Sequence, residues 1–185
     1  LADLEDELGG DLGRTIQAMY KTPIDYDCSE LYKAMKGAGT DEDTLVEIIG
    51  TRTNQQINDI KARYEQLYKV NLESEIISET SGYFQRLLVS LLQANRSENK
   101  VINTFELDKD VKNLYEAGEG QWGTDESAFN MIFTIRSPAE LAYITEQYAQ
   151  RSGKSLFQVI ENEFSALYIP GKFISQMNPY YMEIP

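Results

Sequence analysis

Histidine is absent from all 185 residues, so imidazole serves here neither as a metal ligand nor as an acid–base catalyst. Zinc and the other metals that favour imidazole lose their commonest ligand with it. A single cysteine, Cys28, excludes an internal disulfide and agrees with a reducing compartment. No apolar run approaches the roughly 18 residues that a membrane span needs. The stretch Leu1-Ala2-Asp3-Leu4-Glu5-Asp6 has neither the basic nor the apolar region of a signal peptide. These absences lead us to expect a soluble, cytoplasmic protein. Basic residues are scarce as well, 17 against 30 acidic ones, for a net charge of −13. A field of that sign repels phosphates, which argues against nucleic acid as a partner. It argues equally against direct attraction to an anionic bilayer, unless a polyvalent cation bridges the two.

What is present is the composition of a folded domain, 42% hydrophobic and 25% charged, at a length ample to bury a core. Carboxylate and carbonyl oxygens are plentiful, and oxygen is the ligand that a hard cation such as calcium prefers. The most informative stretch occurs twice. Lys36-Gly37-Ala38-Gly39-Thr40-Asp41-Glu42 reads as a glycine-rich loop opening a helix, and Gly120-Gln121-Trp122-Gly123-Thr124-Asp125-Glu126 repeats it 84 positions later. In each copy an acid follows the last glycine by 40 positions: Gly39 to Glu79, and Gly123 to Glu163. Each loop with its distant acid is a candidate calcium site.

The segments between follow a helical period. Leu31, Ala34 and Met35 share one face of a helix stopping at Gly37, and Thr40 is expected to cap the next, which carries Leu45, Val46, Ile48 and Ile49. Thr53 and Gln56 form a capping box for a third helix whose Ile57, Ile60, Tyr64 and Leu67 lie on one side. A short fourth helix ends near Glu79, and a fifth carries Phe84, Leu87, Leu88 and Leu91. The series then restarts. Leu45 aligns with Phe129, Arg52 with Arg136, Ile57 with Leu141, Ile60 with Ile144, Tyr64 with Tyr148, Leu72 with Leu156 and Ile76 with Ile160. One inserted loop residue separates this register from that of the preceding helix. Ser137, Pro138 and Glu140 repeat the capping box. Such repeated units bury their apolar faces partly against each other, so stacking is expected. The repeating tyrosines read as core, and Arg52 and Arg136 as structural groups bonding carbonyls at helix ends, with lipid contact as the other reading.

Met35 to Glu42, Arg52-Thr53, Ser78 to Gly82 and Trp122 to Glu126 together resemble the annexin family. The resemblance covers about residues 1–165. It implies an all-α fold of five-helix repeats stacked in a right-handed superhelical arrangement, and calcium-dependent binding to acidic phospholipid, peripheral on membranes when calcium rises. It also implies ligands: the carbonyls of Met35, Gly37 and Gly39 with the carboxylate of Glu79 in one site, and those of Gly118, Gln121 and Gly123 with Glu163 in the other. A weaker secondary site would use Thr40 and Glu42, with an equivalent at Thr124 and Glu126. Trp122 has two readings, a ring at headgroup level or one packed between helices.

On this reading residues 1–19 are the C-terminal part of a repeat, with Glu7 opposite Glu79, and 20–27 a linker. Residues 28–92 form a complete repeat, 93–107 a second linker, and 108–176 a repeat whose last helix is interrupted by Pro170. The tail 177–185 fits neither copy. An unfinished repeat exposes apolar helix faces, which leads us to expect self-association or a protein partner covering them. No nucleophile motif or phosphate loop accompanies the pattern, so an enzyme is not expected. The rival function is a calcium-independent helical scaffold.

Overall fold

Thr22 and Pro23 start the first helix: the threonine hydroxyl accepts from the Asp25 N–H at 3.1 Å, and the proline occupies the first turn, where its missing N–H costs nothing. The computed structural model describes residues 13, 15–16, 19–99, 101–118 and 125–163. Helix α1 spans Pro23–Ala34, and α2 to α5 follow as Glu42–Thr51, Asn54–Tyr68, Leu72–Glu79 and Gly82–Leu92. A second series repeats the first four, as α6 Thr104–Ala117, α7 Glu126–Ile135, α8 Pro138–Ser152 and α9 Leu156–Glu163. Among the described residues there is no strand, and no helix is long and apolar enough to cross a membrane.

Both series are built on the same buried positions. Leu31, Leu45, Ile57, Ile60, Tyr64, Leu72 and Ile76 are buried in the first, and Leu114, Phe129, Leu141, Ile144, Tyr148, Leu156 and Ile160 in the second. Leu67 departs from its expected face and is 41% exposed. Ten residues after Ile57 the helical period has carried it about 80° around the axis, to the edge of the apolar stripe. Cys28 lies in the core, where burial pushes its thiol up to about 11 and leaves it unreactive.

Capping accounts for most helix starts. Thr53 and Gln56 close the expected box at α3, as Ser137 and Glu140 do at α8. At α2 the cap is Asp41 and not Thr40: its carboxylate accepts from the N–H and the hydroxyl of Thr44, at 3.2 and 2.8 Å. Asp125, the matching residue, caps α7 by accepting from the N–H groups of Ser127 and Ala128.

Two stretches read as linkers are partly helical. The first gives way to α1 at Pro23, and the second to α6 at Thr104. In the first, polar Thr22 is a helix cap, whereas Asn103 precedes α6 without a side-chain capping bond. Between α5 and α6 the backbone is pinned: Asn54 exchanges hydrogen bonds with Arg96 main chain at 2.8 and 3.1 Å, and the Ser97 N–H donates to the Ile135 carbonyl at 2.7 Å. The ends of α5 and α7 are thereby brought together, so α5 packs against α2 in its own series and α7 in the next. This contact joins the two repeats.

Candidate metal centre

Each candidate loop is the tip of a helical hairpin whose base is an ion pair. In the first hairpin, α1 and α2, Arg52 grips Asp27 with both ends of its guanidinium: Nε and Nη2 each lie 2.7 Å from a carboxylate oxygen. In the second, α6 and α7, Arg136 Nε lies 2.6 Å from Asp110 Oδ2. Both aspartates are buried, and the carboxylate beside Arg52 holds its guanidinium above the ordinary arginine range. The arginines were expected to bond carbonyls. They pair with carboxylates instead, which is the stronger charge-assisted bond. Asp27 and Asp110 recur 83 positions apart, and that recurrence was available in the sequence.

At the tips, the same hydrogen bond closes both loops. The Asp41 N–H donates to the Ala34 carbonyl and the Asp125 N–H to the Ala117 carbonyl, each at 2.8 Å. The closing bond is the same although the second loop has one more residue between these positions. In the first loop Gly37 and Gly39 have φ of +105° and +96°, a region that side chains strongly disfavour. The bonds that close this loop use the Ala34 carbonyl, and the carbonyls of Met35, Gly37 and Gly39 take no part in them. Met35 buries its side chain, anchoring one end, while residues 36–39 are exposed.

The distant acid is brought to this tip by Thr40. Freed from capping, its hydroxyl donates to the Glu79 carbonyl at 3.0 Å, across 39 residues of chain. Glu79 ends α4 with its side chain exposed, and Glu42 stands exposed at the start of α2. Five expected site residues, Met35, Gly37, Gly39, Thr40 and Glu79, are thus gathered at one end of one hairpin. A carboxylate beside a glycine-rich, carbonyl-bearing turn is the donor set of a hard cation. Among the described residues no cluster of three or more Asp, Glu, Cys or His side chains could hold a metal, so main-chain oxygens would have to supply most of any coordination sphere.

In the second copy Gly118 follows α6, and a Cβ there would come within 3.4 Å of the Leu114 carbonyl and of the Phe129 ring. A contact of that length is ordinary packing, and φ at Gly118 is −106°, so neither crowding nor backbone conformation demands glycine here. Glu163 ends α9 as Glu79 ends α4, and Glu126 begins α7 as Glu42 begins α2. Gln121, Trp122, Gly123 and Thr124 lie outside the described residues, as do Glu7, Pro170 and the tail 177–185.

Residues 26–91 and 109–168 match the family model described as Annexin. Annexin A7 of Homo sapiens is 46% identical over 165 residues, which is 89% of this chain and 34% of that protein. A solved structure of annexin A8 aligns with a TM-score of 0.86 at 35% identity, covering 95% of this chain and 56% of that one. Calcium-bound annexin (Sm)1 aligns with a TM-score of 0.81 at 26% identity, covering 97% and 55%. The chain spans about a third of the length of the curated relative and about half of each solved structure.

Proposed function

This chain belongs to the annexin family, and from that membership we propose that it binds acidic phospholipid membranes when calcium is shared between its loops and the lipid. The observation that supports the proposal is the hydrogen bond from Thr40 to the Glu79 carbonyl, which ties a residue with an exposed carboxylate to the loop of two left-handed glycines. The carbonyls of Met35, Gly37 and Gly39 and the carboxylate of Glu79 would hold one ion; those of Gly118, Gln121 and Gly123, with Glu163, would hold the other. Thr40 with Glu42, and Thr124 with Glu126, would supply weaker secondary positions.

Calcium takes six to eight oxygens in a tolerant geometry, and a loop offering one carboxylate leaves room for a phosphate oxygen. Bound there, the ion supplies the positive charge that reconciles a chain of net charge −13 with an anionic surface. By linkage, calcium must strengthen lipid binding by the factor that lipid strengthens calcium binding.

Co-sedimentation with phosphatidylserine vesicles tests the reading. The protein is expected to pellet in millimolar calcium and to remain in the supernatant in chelator. Equal behaviour in both would favour the calcium-independent scaffold.

The glycines make a second expectation. A Cβ on Gly39 would meet nothing within 4 Å, so Gly39→Ala is opposed by backbone conformation and not by crowding. Strain of this kind costs roughly 1–3 kcal/mol. A loop that relaxes to avoid it turns its carbonyl away, and we expect about tenfold more calcium for half-maximal pelleting, with helical circular dichroism unchanged. An unaltered calcium midpoint would show that the Gly39 backbone does not shape the site.

A further inference from the structure

Lys36 lies in the first loop between Met35 and Gly37, and its ammonium reaches Glu75 Oε1 at 3.3 Å. Glu75 sits one turn before Glu79 on α4 and is only 9% exposed. Its other oxygen accepts the hydroxyl of Tyr64, a fully buried residue of α3. The Lys36 ammonium also lies 4.8 Å from the ring centroid of Tyr32 on α1, and Tyr32 stacks at 4.1 Å on Tyr68, the last residue of α3. One exposed loop side chain is therefore tied to three helices. A buried carboxylate holding two donors is difficult to displace, because either bond broken leaves a charge or a polar group unmatched in a low dielectric.

The second copy lacks the pieces. Gly120 stands where the first has Lys36 and Val159 where it has Glu75, while Tyr148 keeps the place of Tyr64. Val159 is buried, and its Cγ1 lies 3.5 Å from where a Cβ on Gly118 would be. An apolar contact occupies the position that a carboxylate holds in the first copy.

We propose that Lys36 is a positioning residue: Glu75 and Tyr64 hold it so that the first loop is shaped before calcium arrives, a preparation the second loop does without. The inference rests on the calcium reading of that loop. A loop ordered by folding does not have to be ordered by the ion, and that saving appears as affinity. Apart from the pull of the Glu79 charge on the Lys36 ammonium, the tether acts through the backbone between Met35 and Gly39.

The test uses the full chain carrying Glu163→Gln, which leaves the first loop as the calcium site. Lys36→Met and Glu75→Val are added singly and together; the valine is the residue that the second copy carries at this position. Each single change is expected to raise the calcium needed for half-maximal pelleting on phosphatidylserine vesicles about tenfold, the lower end of the effect of outer-shell partners on metal affinity. The double variant is expected to be no worse than either, as for two ends of one tether. Charge alone predicts a different pattern, since one substitution removes a cation beside the site and the other an anion, and the two would shift the midpoint in opposite directions. Opposite shifts, or unchanged midpoints, overturn the inference. So does a lowered melting temperature for Glu75→Val with its calcium midpoint unmoved, which would mark a purely structural role. If the Glu163→Gln parent pellets at no calcium concentration, the calcium reading of the first loop fails and the inference with it.

Discussion

Glu79→Gln combined with Glu163→Gln is expected to abolish calcium-dependent pelleting on acidic vesicles while leaving the helical circular dichroism of the chain intact. Each proposed primary site has one carboxylate, so the amide removes the only formal negative charge that a side chain contributes to it; the weaker positions at Glu42 and Glu126 are left. Ligand charge is a principal determinant of calcium affinity, which ranges over several orders of magnitude between oxygen sites. We expect the calcium requirement to rise by at least about 100-fold, beyond the reach of a millimolar titration, given that even outer-shell changes cost about 10- to 100-fold. Folding should be spared for a local reason. Thr40 bonds the main-chain carbonyl of Glu79, not its carboxylate, and the side chain is exposed. Loop closure therefore survives the substitution. Each single variant keeps one site and should pellet at intermediate calcium. A double variant that pellets at the calcium midpoint of the parent would remove both acids from the ligand set.

The largest expected effect on stability is at the base of the first hairpin. Arg52→Ala leaves the carboxylate of Asp27, 4% exposed, without its bidentate partner. Breaking a buried pair from one side costs about 3–5 kcal/mol, and the lower figure applies because Arg52 itself remains 32% exposed. At this chain length each kcal/mol moves the melting temperature by about 2–4 °C, so a fall of roughly 6–12 °C is expected. Asp27→Leu added to Arg52→Ala should recover much of the loss, because the stranded charge is then gone. Thermal melts followed by circular dichroism decide the matter. A shift under about 2 °C for Arg52→Ala would mean that the pair is a surface contact of little consequence. The pair fixes where α1 and α2 start and finish, at the end away from the loop. Its loss should weaken calcium binding only by way of stability, whereas the glutamine variants weaken calcium binding at constant stability.

Much of the fold was legible because its signals are local or repeated. The 84-residue register, the apolar faces and the two capping boxes each depend on neighbours a few residues apart, and every aligned apolar pair named from the sequence is buried in both copies. Where local reading went astray, a distant partner had intervened. Thr40 looked like a helix cap because threonine before an acidic first turn commonly is one. Its hydroxyl is claimed by the Glu79 carbonyl, and Asp41 caps in its stead. Arg52 and Arg136 looked like ligands for carbonyls, yet aspartates on the preceding helix take them. Pro23 looked like a linker residue, and Thr22 made it a helix start.

The amino-acid order by itself determined the helical class, the two copies and the recurrence of a glycine turn with an acid at fixed separation, since hydrophobic period and glycine content act along the chain. Only the tertiary structure decided what each polar side chain does. It turned Thr40 toward Glu79, closed both hairpins at their bases, and linked Lys36 through Glu75 to Tyr64. The physical reason is that a buried or charged polar group takes the partner that packing brings within about 3 Å, and packing is settled by all the helices together.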